Sequence, residues 1–127
     1  MKLLFLVIPI ILFGCSDAQD LAAQEVEKKA IDKLKSEIVV LAESSICSED
    51  NDCNFVGLGS KPCGGHWEYL VYSNSIDTIK FLAKVEDCNR LENEFNQKWG
   101  IISDCSFVVP PDSVICENGK CKAMYSN

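Results

Sequence analysis

The chain's one histidine lies in a segment that concentrates reactive side chains: Gly59-Ser60-Lys61-Pro62-Cys63-Gly64-Gly65-His66-Trp67-Glu68. Cys63 precedes His66 by three residues and Glu68 follows it by two. A thiol beside an imidazole is a nucleophile with its base, and the matching chemistry is thiol-dependent hydrolysis. Two considerations favour a plainer reading. Cys–His pairs of this kind meet in space rather than along the chain, and a metal pair at Cys63 and His66 needs two further ligands. A disulfide anchor in a glycine-rich turn accounts for the same residues. No catalytic residue, metal ligand or cofactor is therefore expected.

Two other clusters invite a chemical reading. Asp50, Asp52 and Asn54 alternate as the opening ligands of a calcium loop do. That loop requires glycine at its sixth position and glutamate at its twelfth, where this chain has Phe55 and Lys61. A solvated acidic loop is the better reading. Beside the glycine segment, Trp67, Tyr69 and Val71 alternate with Glu68, Leu70 and Tyr72, the pattern of a strand. One face of that run must enter the core. The other, carrying His66, Glu68, Leu70 and Tyr72, is offered as a recognition patch, since tyrosine and tryptophan favour such surfaces. The binding candidates are His66, Trp67, Tyr69 and Tyr72. No phosphate loop, dinucleotide fingerprint, serine elbow or HExxH motif occurs.

Composition narrows the partners. A net charge of −7 over 127 residues disfavours binding to nucleic acid or anionic lipid through charge. Eight cysteines are many for a cytosolic chain and ordinary for an exported one.

The first fifteen residues, MKLLFLVIPIILFGC, place one positive charge before an apolar run over residues 3–13. As a helix those eleven residues cover about 16 Å, half a bilayer's hydrocarbon core. This is the h-region of an export signal rather than a membrane span. Its end, Leu12-Phe13-Gly14-Cys15, resembles the lipobox of bacterial lipoproteins. The resemblance implies a diacylglycerol on the Cys15 thiol and cleavage before it, so that the membrane is a partner through covalent lipid. Residues 1–14 would then be a signal peptide, 15–24 a lipidated tether and 25–127 a single domain. The position after the cysteine is Ser16, with aspartate only at Asp17, which implies sorting to the outer membrane on the extracytoplasmic side. Removing residues 1–14 takes away Lys2 and leaves 113 residues, 11 basic and 19 acidic, with a side-chain charge of −8.

With Cys15 acylated, seven cysteines remain, and an odd number leaves one thiol over. Cys88 is the candidate, because it falls on an apolar helical stripe with Phe81, Val85, Leu91, Phe95 and Trp99. Cys47, Cys53, Cys63, Cys105, Cys116 and Cys121 are the disulfide candidates. The Asn118-Gly119 pair is a strong hairpin signal, and a turn there sets Cys116 opposite Cys121. A bond across the ribbon is one solution. The other staples the ribbon to Cys47, Cys53 or Cys105.

The elements that must position these residues follow from periodicity. A polar tether over about 16–20 precedes a helix capped by Asp20, with Val26, Ala30, Leu34, Ile38 and Leu41 at helical spacing. A strand over 54–58 and another over 67–72 flank the glycine loop. A long helix capped by Asn74 or Ser75 ends at Gly100. A strand over 101–109 stops at Pro110-Pro111, and a hairpin over 114–124 closes the chain. The expected class is α+β: two helices with a four- to five-stranded antiparallel sheet, stapled by disulfides. The expected role is binding, an inhibitor-like or envelope-interaction module with a protein ligand, presenting residues 57–66. The alternatives are a small hydrolase using Cys63 and His66, and a structural spacer.

Overall fold

The computed structural model describes residues 16–126. Cys15 and the expected signal segment lie outside them. The order is α1 (Ser16–Ser44), a single 3-10 turn (Asp50–Asp52), β1 (Cys53–Leu58), β2 (Glu68–Ser73), α2 (Thr78–Trp99), β3 (Ser113–Glu117) and β4 (Lys120–Met124). The domain is α+β and disulfide-stapled. Its strands form two separate two-stranded antiparallel ribbons, β1–β2 and β3–β4, rather than one sheet of four or five.

The two helices pack against each other through one apolar seam. Ile31, Ile38 and Ala42 of α1 meet Phe81, Val85, Cys88 and Phe95 of α2, and Leu58 and Tyr72 close the seam from the first ribbon. Spacings of three, four and seven place these side chains on single helix faces. Cys88 carries a free thiol at the centre of this core, and burial pushes that thiol up from its ordinary range.

Helix α1 starts at Ser16, so the stretch read as a tether is helical and Asp20 is not its cap. With 29 residues against 22, α1 is longer than α2 by about 10 Å at 1.5 Å per residue. The excess lies at its beginning. Glu27 meets Lys98 and Trp99 at the end of α2, and Leu21 and Val26 before it are exposed. Val26 therefore lies outside the seam its spacing suggested.

Asp77, not Asn74 or Ser75, caps α2: its carboxylate accepts from the Lys80 N–H at 3.1 Å. Ser75 is engaged elsewhere, its hydroxyl oxygen accepting from the Ile46 N–H. Gly100 ends the helix in the left-handed conformation at φ 58°.

Two disulfides clamp the second ribbon, Cys47–Cys116 to the loop after α1 and Cys53–Cys121 to the start of the first ribbon. Cys116 and Cys121 do face each other in register across a turn in which Asn118 and Gly119 both have positive φ. Each nonetheless bonds a partner outside its own ribbon, so the local pairing does not form. Further contacts close the clamp. The Cys116 N–H donates to Asp50, and the Lys120 ammonium donates to the Glu43 and Ser45 carbonyls at the end of α1, where a cation also suits the helix dipole.

The strand expected over 101–109 is not formed. Side chains take its polar groups instead of a neighbouring strand: the Ser106 N–H donates to the Asp104 carboxylate, and the Ser106 carbonyl accepts from Lys61. Among the described residues, no helix is long and apolar enough to cross a membrane.

Candidate functional site

The glycine segment and the irregular stretch after α2 come together into one lobe. The third disulfide, Cys63–Cys105, ties them. Lys61 does so as well. Its side chain is 4% exposed, and its ammonium donates to the Asp104 carboxylate at 3.1 Å, the Ser106 carbonyl at 2.7 Å and the Ser106 hydroxyl at 3.1 Å. A lysine is rarely buried so fully unless paired. The same ammonium lies 4.9 Å from the centre of the Trp67 ring, within cation–π range. The Ser106 hydroxyl, the Lys61 ammonium and the Ser106 N–H all converge on Asp104 and hold its carboxyl down to about 2.

A polar face of α2 supports the lobe from beneath. Asn89, Glu92 and Asn96 are spaced by three and four, so they share one side of the helix. The Asn89 amide oxygen accepts from the Gly59 N–H at 2.6 Å, and its NH2 donates to the Gly57 carbonyl at 3.0 Å. Glu92, itself buried, accepts from the Ser60 N–H at 2.7 Å and from Lys35 at 2.6 Å. Asn96 donates to the Ser60 carbonyl at 2.8 Å. Gly57, Gly59 and Ser60 thus hydrogen-bond to side chains along the α2 surface.

Two glycines are required for this fit. A methyl group on Gly57 would stand 2.1 Å from the His66 ring. One on Gly59, already at φ 83°, would stand 2.6 Å from Trp67 and 2.9 Å from Glu92.

The residues singled out from sequence divide sharply. His66 is half-buried, and its Nδ1 lies 2.8 Å from the Gly59 carbonyl. A carbonyl only accepts, so that nitrogen carries the proton. Cys63 is bonded to Cys105 and has no thiol to pair with His66. Tyr69 is half-buried between His66 and Phe55, with edge-on ring centroids 5.8 and 5.9 Å away. Tyr72 is a correction. It is 6% exposed, packs on Phe81 at 4.8 Å between ring centres, and belongs to the core, because Leu70 and Tyr72 are on the strand face that meets the helices. Trp67 is the candidate that reaches solvent, at 40% exposure.

The acidic loop is structural. Asp52 accepts from the Ser48 and Glu49 N–H groups, which lower its pKa, and Asp50 accepts from Cys116. Among the described residues, the sulfurs of Cys47, Cys53 and Cys121 lie together, but all three are in disulfides and offer no thiolate to a metal.

Sequence reasoning missed Lys61, Asp104, the polar face of α2 and the exposed apolar side chains beyond it. Ile102, Phe107 and Val109 stand out from the stretch after α2, with Phe107 75% exposed. The Asn89, Glu92, Asn96 spacing was the available signal. No protein-family model matches the chain, and no curated protein or solved structure matches it.

Proposed function

We propose that this protein is a lipid-anchored envelope protein whose domain is a binding module, with the lobe built on Lys61 as its recognition surface. Cys15 is the anchor. The first turns of α1, which extend beyond α2, hold the domain off the membrane. The observation that carries the reading is the bracing of an exposed apolar segment by a buried ammonium and a disulfide. Ordering a loop before binding removes that entropy cost from the encounter, which is how such surfaces gain affinity. Aromatic anchors amid well-held neighbours are also where binding energy concentrates. The fold leaves Trp67 and Phe107 outside the core although burial would have stabilised it.

The test uses the full chain extracted from membranes. Intact mass should show cleavage before Cys15 and added acyl mass. Capture of an envelope protein by the wild type should be lost in Trp67→Ala and Phe107→Ala variants whose circular dichroism is unchanged. Undiminished capture by both variants would move the recognition surface elsewhere. Absence of acyl mass would remove the anchor.

A further inference from the structure

We propose that residues 105–110 form the reactive segment of a protease inhibitor, with Phe107 entering the apolar primary pocket of a chymotrypsin-like serine protease. This rests on the binding-module reading and names its partner by chemistry. A protease cleft binds its target as an extended strand with one side chain in a deep pocket, pairing through main-chain hydrogen bonds. The segment meets those needs. Cys105 and Ser106 are exposed, and from Phe107 exposure alternates: Phe107 and Val109 stand out, whereas Val108 and Pro110 are half-buried and Pro111 is buried. That is the period of an extended chain with one side turned to the domain. Among the described residues, nothing hydrogen-bonds to the main chain of Phe107, Val108 or Val109. Their N–H and C=O groups are not taken up by the domain's own hydrogen bonds.

Exposure and extension alone describe a substrate. What distinguishes an inhibitor is that both sides of the scissile bond stay in place. On one side, Cys105 is bonded to Cys63, and the Ser106 carbonyl is held by Lys61 at 2.7 Å. On the other, Pro110-Pro111 leads into β3, with Pro111 buried and the Asp112 N–H donating to the Met124 carbonyl at 2.9 Å. Phe107 is the aromatic residue between these two anchors.

In the reaction, the protease serine oxygen adds to the Phe107 carbonyl carbon. The bond to the Val108 nitrogen breaks, an ester to the serine forms, and the serine proton leaves on the Val108 amine. Because that amine is held beside the ester, it re-adds, returns its proton to the serine oxygen and expels the serine before water does. The segment is restored and the protease remains occupied.

The experiment is a titration of chymotrypsin with the full chain in detergent, with trypsin alongside. The expected result is stoichiometric, competitive inhibition of chymotrypsin, with very slow cleavage after Phe107. Phe107→Gly should weaken it about 100-fold or more, as removal of a central aromatic anchor does, and its exposure makes the change harmless to folding. Phe107→Lys should transfer inhibition to trypsin. Lys61→Met keeps Phe107 but releases Ser106, and should turn the inhibitor into a substrate cleaved at that bond. Rapid cleavage of the wild type, or chymotrypsin left fully active at micromolar concentrations of the chain, would overturn the inference. If chymotrypsin is unaffected while capture of an envelope protein still depends on Phe107, the protease assignment falls and the binding module stands. If capture is also indifferent to Trp67 and Phe107, both fall.

Discussion

The clamp and the lobe are both held by disulfides, and they are built in opposite ways. In the clamp, Cys47–Cys116 and Cys53–Cys121 hold the second ribbon to the loop after α1 and to the first ribbon, and within each ribbon the two strands pair main chain to main chain. In the lobe, Cys63–Cys105 joins two segments with no strand pairing, and side chains do the bonding. A ladder consumes the main chain it orders. Lys61, Asn89, Glu92 and Asn96 order a loop from one side and leave the adjoining stretch open. The contrast shows two ways a small domain can hold a segment, one that pairs its main chain and one that does not.

Removing the clamp should have the largest effect. The two disulfides close nearly the same loop, with sequence separations of 69 and 68 residues. Chain entropy assigns about 4 kcal/mol to the first and about 3 to the second once the first is formed. Replacing all four cysteines with alanine should therefore cost about 7 kcal/mol, within the whole stability of a domain this size. Circular dichroism should show an unfolded chain. A folded one would mean that the helix seam suffices.

Opening the lobe should cost less and act locally. Cys63 and Cys105 are 42 residues apart, which corresponds to about 4 kcal/mol as an upper figure. The Cys63→Ala, Cys105→Ala double variant should keep native helix content and ribbon amide protection while residues 102–108 lose order. Loss of protection throughout would show that the lobe and the clamp fold as one unit.

Glu92 tests the support beneath the lobe. Glu92→Ala leaves the Ser60 N–H and the Lys35 ammonium without their partner, at about 2–3 kcal/mol measured by urea unfolding. An effect under about 0.5 kcal/mol, as at an ordinary surface position, would remove Glu92 from the bracing.

The smallest effect is that of acid. The folded state holds Asp104 at about 2, below its ordinary 3.8, so its contribution is complete above about pH 4 and is lost as pH falls through 2. An NMR titration of the Asp104 carboxyl should have its midpoint near 2. A midpoint near 4 would mean the Ser106 and Lys61 contacts are not made in solution.

Local signals revealed the fold class, both helices, Gly100, the Asn118-Gly119 turn and the six bonded cysteines, because periodicity and turn chemistry act over a few residues. Of the two pairings left open for Cys116 and Cys121, the staple to Cys47 and Cys53 is the one formed, and the choice was not legible. Cys116 faces Cys121 yet bonds Cys47, a choice made by packing between distant segments. The lobe was half legible. The glycines marked a turn, but Lys61 between Ser60 and Pro62 has no local sign of burial. The apolar stretch over 101–109 resembles a strand because extended chain and strand share one pattern, and the diversion at Ser106 depends on a lysine 45 residues away. Alternation marks two faces of β2 without saying which meets the helices, so the pattern alone does not place Tyr72 in the core.

The most direct test of a lobe that is rigid without a ladder is the set of backbone NMR order parameters for residues 102–109. Values near 0.85, equal to those of α2, are the predicted result. Values below about 0.6 across Phe107 and Val109 would contradict the account, because the segment would then be a flexible loop tied at one cysteine.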